Sequence, residues 1–304
     1  MFSRLRPLIV LILSAQLLLT GCSANAEKTN PSNAVLWKIE MANSPASWLL
    51  ATVNTPDGQD VEFKPEVEPA LLNSKYIGTE YYNDMNSSIQ LAQAMLTKEA
   101  SLQALLGQER YAKVLPLLAA RGYPEAVAAK LQPWAVAMLL FSPKQGKENI
   151  PMDEYVFQYA TETNKPYFAI ESIEQQLAPF KKLPAGKQII LIDGLIANHD
   201  ELESAFAANM AAYLKSNLDP IAPLMQIETI ALPKHERAWF SAWRKELKTS
   251  RNKIIIERLK PALQKGEAFF TVGAGQLTGQ DGLLAAMRAA GYKVTAVKVE
   301  PAQK

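Results

Sequence analysis

Side chains able to do chemistry are sparse in this sequence of 304 residues, and the missing patterns narrow its options. It contains no Gly-x-Ser-x-Gly elbow, no His-Glu-x-x-His, no Cys-x-x-Cys and no phosphate loop closing in Gly-Lys-Ser/Thr. Its two histidines, His199 and His235, sit among acids and bases in polar helical stretches. Both are therefore read as surface residues, because metal sites gather several ligands at matched spacing. More informative are polar residues at the predicted ends of strands. Glu80 closes one strand and Glu171 follows another, where α/β proteins place ligand-facing groups; a helix-start carboxylate or an ion pair accounts for either acid as well. The run Gly273-Ala274-Gly275-Gln276-Leu277-Thr278-Gly279 is expected as a loop between strand and helix, where free backbone amides can cradle an anion. It is no dinucleotide motif, since its spacing is Gly-x-Gly-x-x-x-Gly and too little chain follows to build a mononucleotide unit. Glycines permitting a tight turn are the competing reading. Arg251 is either an anion clamp or an ion-pair partner. Trp239 and Trp243, four residues apart, are expected to anchor a helix to the core rather than to form a ligand platform.

Elements that could position these residues follow from hydrophobic periodicity. Val35 to Glu40 and Trp48 to Val53 read as a hairpin around Asn43-Ser44-Pro45. Pro65 opens a helix to about Ser74, and Lys75 to Glu80 is a third strand. From Asn86 to Leu140 apolar residues recur at helical spacing, punctuated by Gly107, Gly122 and Pro133. A loop with Gly146 and Pro151 leads to a helix over Asp153–Thr163, a short strand over Tyr167–Ile170 and helices to about residue 265. A strand over Phe269–Val272, the glycine-rich loop, a helix from about Asp281 to Ala290 and a strand over Tyr292–Val299 end the chain. The predicted fold is α/β, with a mixed sheet built largely from N- and C-terminal strands and a long helical middle. One weak internal echo is present: Ala51-Thr52-Val53-Asn54 before Asp57-Gly58, and Gly273-Ala274-Gly275-Gln276 before Asp281-Gly282. Each presents an amide side chain just past a strand.

The N-terminus supplies an address. Arg4 and Arg6 precede an apolar stretch from Pro7 to Leu19, too short to span a bilayer as a stable helix, and Leu19-Thr20-Gly21-Cys22 has the form of a lipobox. Cys22 is the sole cysteine, so the folded part uses no disulfide. Residues 1–21 are predicted to be a removed leader, 22–33 a lipidated cysteine with a flexible tether reaching roughly 20 Å, and 34–304 one domain. Several acyl chains on Cys22 would hold the protein on a lipid bilayer. Ser23, where Asp would favour inner-membrane retention, points to the outer membrane, facing the periplasm. Without Arg4 and Arg6 the chain carries 30 basic and 30 acidic residues. A nucleic-acid partner thereby loses its electrostatic basis.

Several segments together resemble the TraB/PrgY/GumN family, whose animal relatives are the Tiki proteases. They are Leu36-Trp37-Lys38-Ile39, the strand from Leu49 to Val53, Met152-Asp153-Glu154-Tyr155, Glu171-Ser172-Ile173-Glu174-Gln175-Gln176-Leu177, Arg251-Asn252, Val272 to Leu284 and Gly291-Tyr292-Lys293-Val294. The resemblance implies the α/β fold shared with erythromycin esterase-like and ChaN-like proteins. It also implies two Gly-x-x-His motifs whose histidines, with acidic partners, form a divalent-metal centre for hydrolysis. Here those motifs read Ala51-Thr52-Val53-Asn54 and Gly273-Ala274-Gly275-Gln276, without either histidine. The pattern that follows reads Gly279-Gln280-Asp281-Gly282, with an amide in place of a carboxylate. Glu80, Glu171, Arg251 and Asp281 fall on the family's acidic and basic positions.

Asn and Gln amides bind zinc, manganese or cobalt weakly and cannot act as general bases. Three readings follow. A degenerate relative would bind a peptide, glycan or protein through Asn54, Gly273, Gly275, Gln276 and Gly279 without cleaving it, and would need no cofactor. An active hydrolase would use Glu80, Glu171 and Asp281 to hold a divalent metal or activate water, with Arg251 holding an anion; calcium or magnesium on amide and carboxylate oxygens stays open. An envelope structural or assembly factor is the third.

Overall fold

The protein is described by a computed structural model over residues 34–53, 63–81, 84–98, 100–144, 151–218 and 232–297. The leader, Cys22, the tether, Asn54, Asp57-Gly58 and Gly146 lie outside the described residues.

Alternating apolar residues at the start of the domain make an antiparallel hairpin, β1 (Leu36–Glu40) and β2 (Ser47–Thr52), with Leu36 opposite Leu50. Its turn includes Asn43 at φ 63°, a left-handed conformation that Asn tolerates. A short helix, α1 (Val67–Leu72), leads to β3 (Tyr76–Thr79). Five helices follow, α2 (Met85–Met95), α3 (Leu102–Leu106), α4 (Gln108–Ala119), α5 (Glu125–Ala128) and α6 (Pro133–Leu140). Then come α7 (Met152–Glu162), β4 (Tyr167–Ala169), α8 (Ile173–Lys181), α9 (Ala185–Ala197), α10 (His199–Leu214) and the long α11 (Lys234–Lys265). The chain closes with β5 (Ala268–Gly273), α12 (Ala274–Leu277), α13 (Leu283–Ala289) and β6 (Lys293–Ala296).

One six-stranded mixed sheet has the order β4-β3-β5-β2-β1-β6. As the sequence pattern predicts, terminal segments supply five of these strands and helices fill the middle. β4, β3, β5 and β2 run parallel, whereas β1 is antiparallel to both its neighbours. Central β5 explains its own place, because Ala268 to Val272 are all 0% exposed, as expected of a strand covered on both faces, and its one polar member, Thr271, is hydrogen-bonded to Asp153. At Gly78 of β3 a Cβ would meet the Phe168 ring at 2.9 Å, so glycine lets the edge-to-face pair Phe168–Phe270 close over the sheet.

Apolar burial is divided between a sheet core, with Trp37, Phe269 and Phe270 among its largest members, and a helical core built on Leu102, Val114, Leu118, Trp134, Leu191 and Phe240. Trp239 and Trp243 pack against the helical core with their rings nearly parallel, 6.1 Å apart, which is the anchoring role expected of them. Two boundaries differ from expectation. The predicted loop after β5 contains the single turn α12, and the following helix starts at Leu283 rather than Asp281, because Gly282 is extended at φ −79°, ψ 160°. No described helix is long and apolar enough to cross a membrane.

Candidate functional site

Because β2, β3, β4 and β5 are parallel, their carboxyl ends share one edge of the sheet, the edge where α/β folds place ligand groups. Glu80 follows β3 by one residue, and Glu171 follows β4 by two. The ladder continues just past the strands, with Ile170 N donating to Thr79 O at 2.9 Å and Glu171 N to Glu80 O at 2.8 Å. Glu171 is fixed from the other side by the start of α8. There the Ser172 hydroxyl accepts from Gln175 N at 3.2 Å and the Gln175 side chain accepts from Ser172 N at 2.8 Å, forming a capping box.

Arg251, in the middle of α11, reaches between the two acids. Its Nε lies 3.1 Å from both Glu171 oxygens, and its Nη2 lies 2.5 Å from Glu171 Oε2 and 3.1 Å from Glu80 Oε1. The Glu171 side chain is 0% exposed, while those of Glu80 and Arg251 are 16% and 17% exposed. Burial alone would lower the Arg251 pKa, but Glu80 and Glu171 outweigh it and hold the guanidinium above its ordinary value. Gly273 N donates to Glu80 Oε1 at 3.2 Å, tying the end of β5 to the same carboxylate.

Gln276 lies apart from this ion cluster. Its amide nitrogen donates to Lys248 O at 2.9 Å and to Asn252 Oδ1 at 2.6 Å, and Asn252 Nδ2 donates to Asp281 O at 2.8 Å. Gln276 is 6% exposed and Asn252 4%, so this is a buried amide chain joining α12 and the Asp281 turn to α11. Gly275 is inside α12, and Gly279, at φ +83°, is exposed beside Lys248. Asp281 is on an exposed turn, with its carboxylate 3.9 Å from Lys245. The structure thus brings together Glu80, Glu171, Arg251 and Gly273, while Gln276 and Asp281 face α11 through other contacts. Asn54 is outside the described residues.

Three titratable groups beside these residues have no role in the sequence reading. Lys248 is 9% exposed and donates to Thr278 O; burial pulls it down to about 8, with Arg244 adding to the fall and Asp281 opposing it. Asp153, in the first turn of α7, accepts from Thr52 Oγ1 of β2 at 3.2 Å and from Thr271 Oγ1 of β5. Burial and the Glu80 charge push Asp153 up to about 7, against the two hydroxyls, which lower it. Burial also pushes the neighbouring Tyr81 phenol up to about 12, with Asp153, Glu80 and Glu154 contributing. Asp153 stands within one of the resembling segments, yet its threonine partners are 101 and 118 residues away in sequence. Local pattern therefore carries no signal of the contact.

The surface reading of the histidines holds for His235, whose side chain is 79% exposed, and needs correction for His199. His199 is 17% exposed, with Nδ1 3.8 Å from Glu203 Oε1. Its pKa is lowered, first by burial and then by Arg121 and Lys144, while Glu203 and Asp200 oppose the fall. A groove of about 540 Å³ between α4 and α9 is lined by Arg110, Lys113 and Asp193 and contains none of the strand-end residues.

A mixed sheet with polar residues gathered beyond the carboxyl ends of its parallel strands has the α/β architecture in which that edge carries ligand-facing groups. The chain belongs to the TraB/PrgY/gumN family, whose model matches residues 35–296. It is 22% identical over 313 residues to a zebrafish (Danio rerio) protein named Metalloprotease TIKI2, an alignment covering 86% of this chain and 60% of that protein. No solved structure gives a significant match.

Among the described residues, the donors in place do not fit a metal centre of the kind the family resemblance implies. Among the described residues no group of three or more His, Cys, Asp or Glu side chains could hold a metal ion. Glu80 and Glu171 are bound to Arg251, and the Gln276 amide nitrogen points into α11.

Proposed function

We propose that this protein is a lipid-anchored member of the family in the bacterial cell envelope, whose cleft binds a peptide, a glycan or a protein partner without cleaving it. The observation that carries this reading is the use made of the former chemical positions. Arg251 is hydrogen-bonded to both Glu80 and Glu171, and Gln276 serves as a buried strut to α11. An amide cannot exchange a proton near neutral pH, and carboxylates clamped by a guanidinium are poor general bases. What persists is a firm rim of polar groups at the sheet edge, suited to recognition.

A second reading, a metal-dependent peptidase-like hydrolase using Glu80, Glu171 and Asp281, draws on the relative's name and on Asp153. A carboxyl near neutral pKa is matched to acid–base work. The two separate in one experiment. Full-length protein carrying Cys22→Ser, incubated with peptide and glycan libraries with and without manganese, cobalt or zinc, is expected to release no products above the blank. Metal-dependent hydrolysis that disappears on Glu80→Gln would overturn the binding reading. In membrane fractionation, the native chain should sediment with the outer membrane and the Cys22→Ser form should be lost from that fraction; identical partitioning would remove the anchor from the account.

A further inference from the structure

The buried acid of α7 holds the sheet edge together. We propose that Asp153 is the positioning residue of the cleft: one carboxyl group, accepting Thr52 of β2 and Thr271 of β5, pins the ends of the two strands that lead into both motif segments. The register supports this. β2 and β5 pair in parallel with Thr52 opposite Gly273; Thr52 is the second residue of the first motif segment, and Thr271 lies two residues ahead of Gly273, which opens the second. One hydroxyl therefore grips β2 within its motif segment, and the other grips β5 just ahead of its own. A third contact comes from α10, where Tyr213 Oη donates to Ala51 O at 2.8 Å and adds a second tie to the last residues of β2. This role does not depend on whether the cleft binds or cleaves.

The pin responds to protons. Glu80 after β3 acts electrostatically on Asp153, and the Asp153 charge in turn helps to raise Tyr81 after β3 and Tyr213 of α10; Glu154 is beside it on α7, and Arg251 of α11 lies beyond Glu80. With the folded value near 7 and the ordinary value 3.8, the folded edge binds a proton that the opened edge releases. Stability from this group is full below the ordinary value, falls as pH rises toward 7 and is absent above it. One proton of difference corresponds to about tenfold in the opening equilibrium per pH unit.

Full-length Cys22→Ser protein tests this by two measurements: carbon-detected NMR titration of the Asp153 carboxyl, and amide exchange along Ala51–Val53 and Thr271–Gly273. A carboxyl midpoint near 7 is expected, with strand-end protection falling about tenfold per unit between roughly pH 5 and 7 and levelling above. Asp153→Asn, which can still bridge both hydroxyls, should flatten that profile. Thr52→Val/Thr271→Val should loosen the edge at every pH. An Asp153 midpoint in the ordinary carboxylate range, or a protection profile unchanged by Asp153→Asn, would overturn the proposal. The wild-type titration decides the matter even where a variant does not fold.

Discussion

Replacement of Arg251 by methionine is expected to lower the unfolding free energy by about 3–5 kcal/mol, the usual cost of removing one partner from a buried charge network. Glu171 cannot relax toward water, since its side chain is 0% exposed and held between the end of β4 and the start of α8. Glu80 would keep its bond from Gly273 N but lose the guanidinium that offsets its charge. The unpaired carboxylates would bind protons more readily in the folded state, so the variant should lose less stability at pH 5 than at pH 8. Urea unfolding at the two pH values measures this. A further change of both acids, giving Glu80→Gln/Glu171→Gln/Arg251→Met, should recover much of the loss, because three neutral side chains leave no buried charge. A loss below about 1 kcal/mol for Arg251→Met alone would mean the cluster behaves as an exposed ion pair.

Gly282→Ala is expected to cost about 1–3 kcal/mol, the range for forcing atoms into a packed site. A Cβ there would come within 2.3 Å of both Leu277 O and Thr278 O, and neither main-chain oxygen can swing aside as a side chain could. The consequence reaches the site, because Thr278 O accepts from Lys248 and the preceding Asp281 O accepts from Asn252. A displaced turn disturbs two buried polar contacts of α11 together. Gly186→Ala provides the contrast: nothing lies within 4 Å of its Cβ, and near the start of α9 alanine should be neutral or stabilising by up to about 1 kcal/mol. Thermal unfolding of the two variants side by side distinguishes steric cost from a general intolerance of alanine at glycine.

The fold was legible where burial leaves a periodic trace. β1 shows it as partial alternation, β2 as an apolar run from Trp48 to Ala51 and the central strand as an apolar run interrupted only by Thr271, and their placement at the two ends of the chain gave the sheet its composition. α12 was hidden because Gly273, Gly275 and Gly279 read locally as loop, although packing of Ala274, Gln276 and Leu277 makes a helical turn there. The strand-end acids were legible as positions but not as a cluster. Glu80, Glu171 and Arg251 are separated by 80 to 171 residues, and only the parallel sheet and the passage of α11 bring them together. The direction of an amide is less legible still. Gln276 beyond a strand suggests a group facing a cleft, yet its nitrogen turns to Lys248 O and Asn252 Oδ1, because those acceptors are buried in the adjacent helix. His199 carries the same lesson: charged neighbours in sequence suggested a surface residue, but α10 turns it toward Glu203, where burial first, and then Arg121 and Lys144, lower its pKa.

The central claim is that the family's fold and sheet edge persist here without the ligands for a transition metal. Calorimetric titration of manganese, cobalt and zinc into the Cys22→Ser protein, beside an Asn54→His/Gln276→His version, tests it most directly. Tight binding should be absent from the first protein and gained by the second, whose imidazoles restore good nitrogen donors at the motif positions. Tight, stoichiometric binding by the protein with Asn54 and Gln276 intact would contradict the claim, since its surviving carboxylates would then hold metal despite Arg251.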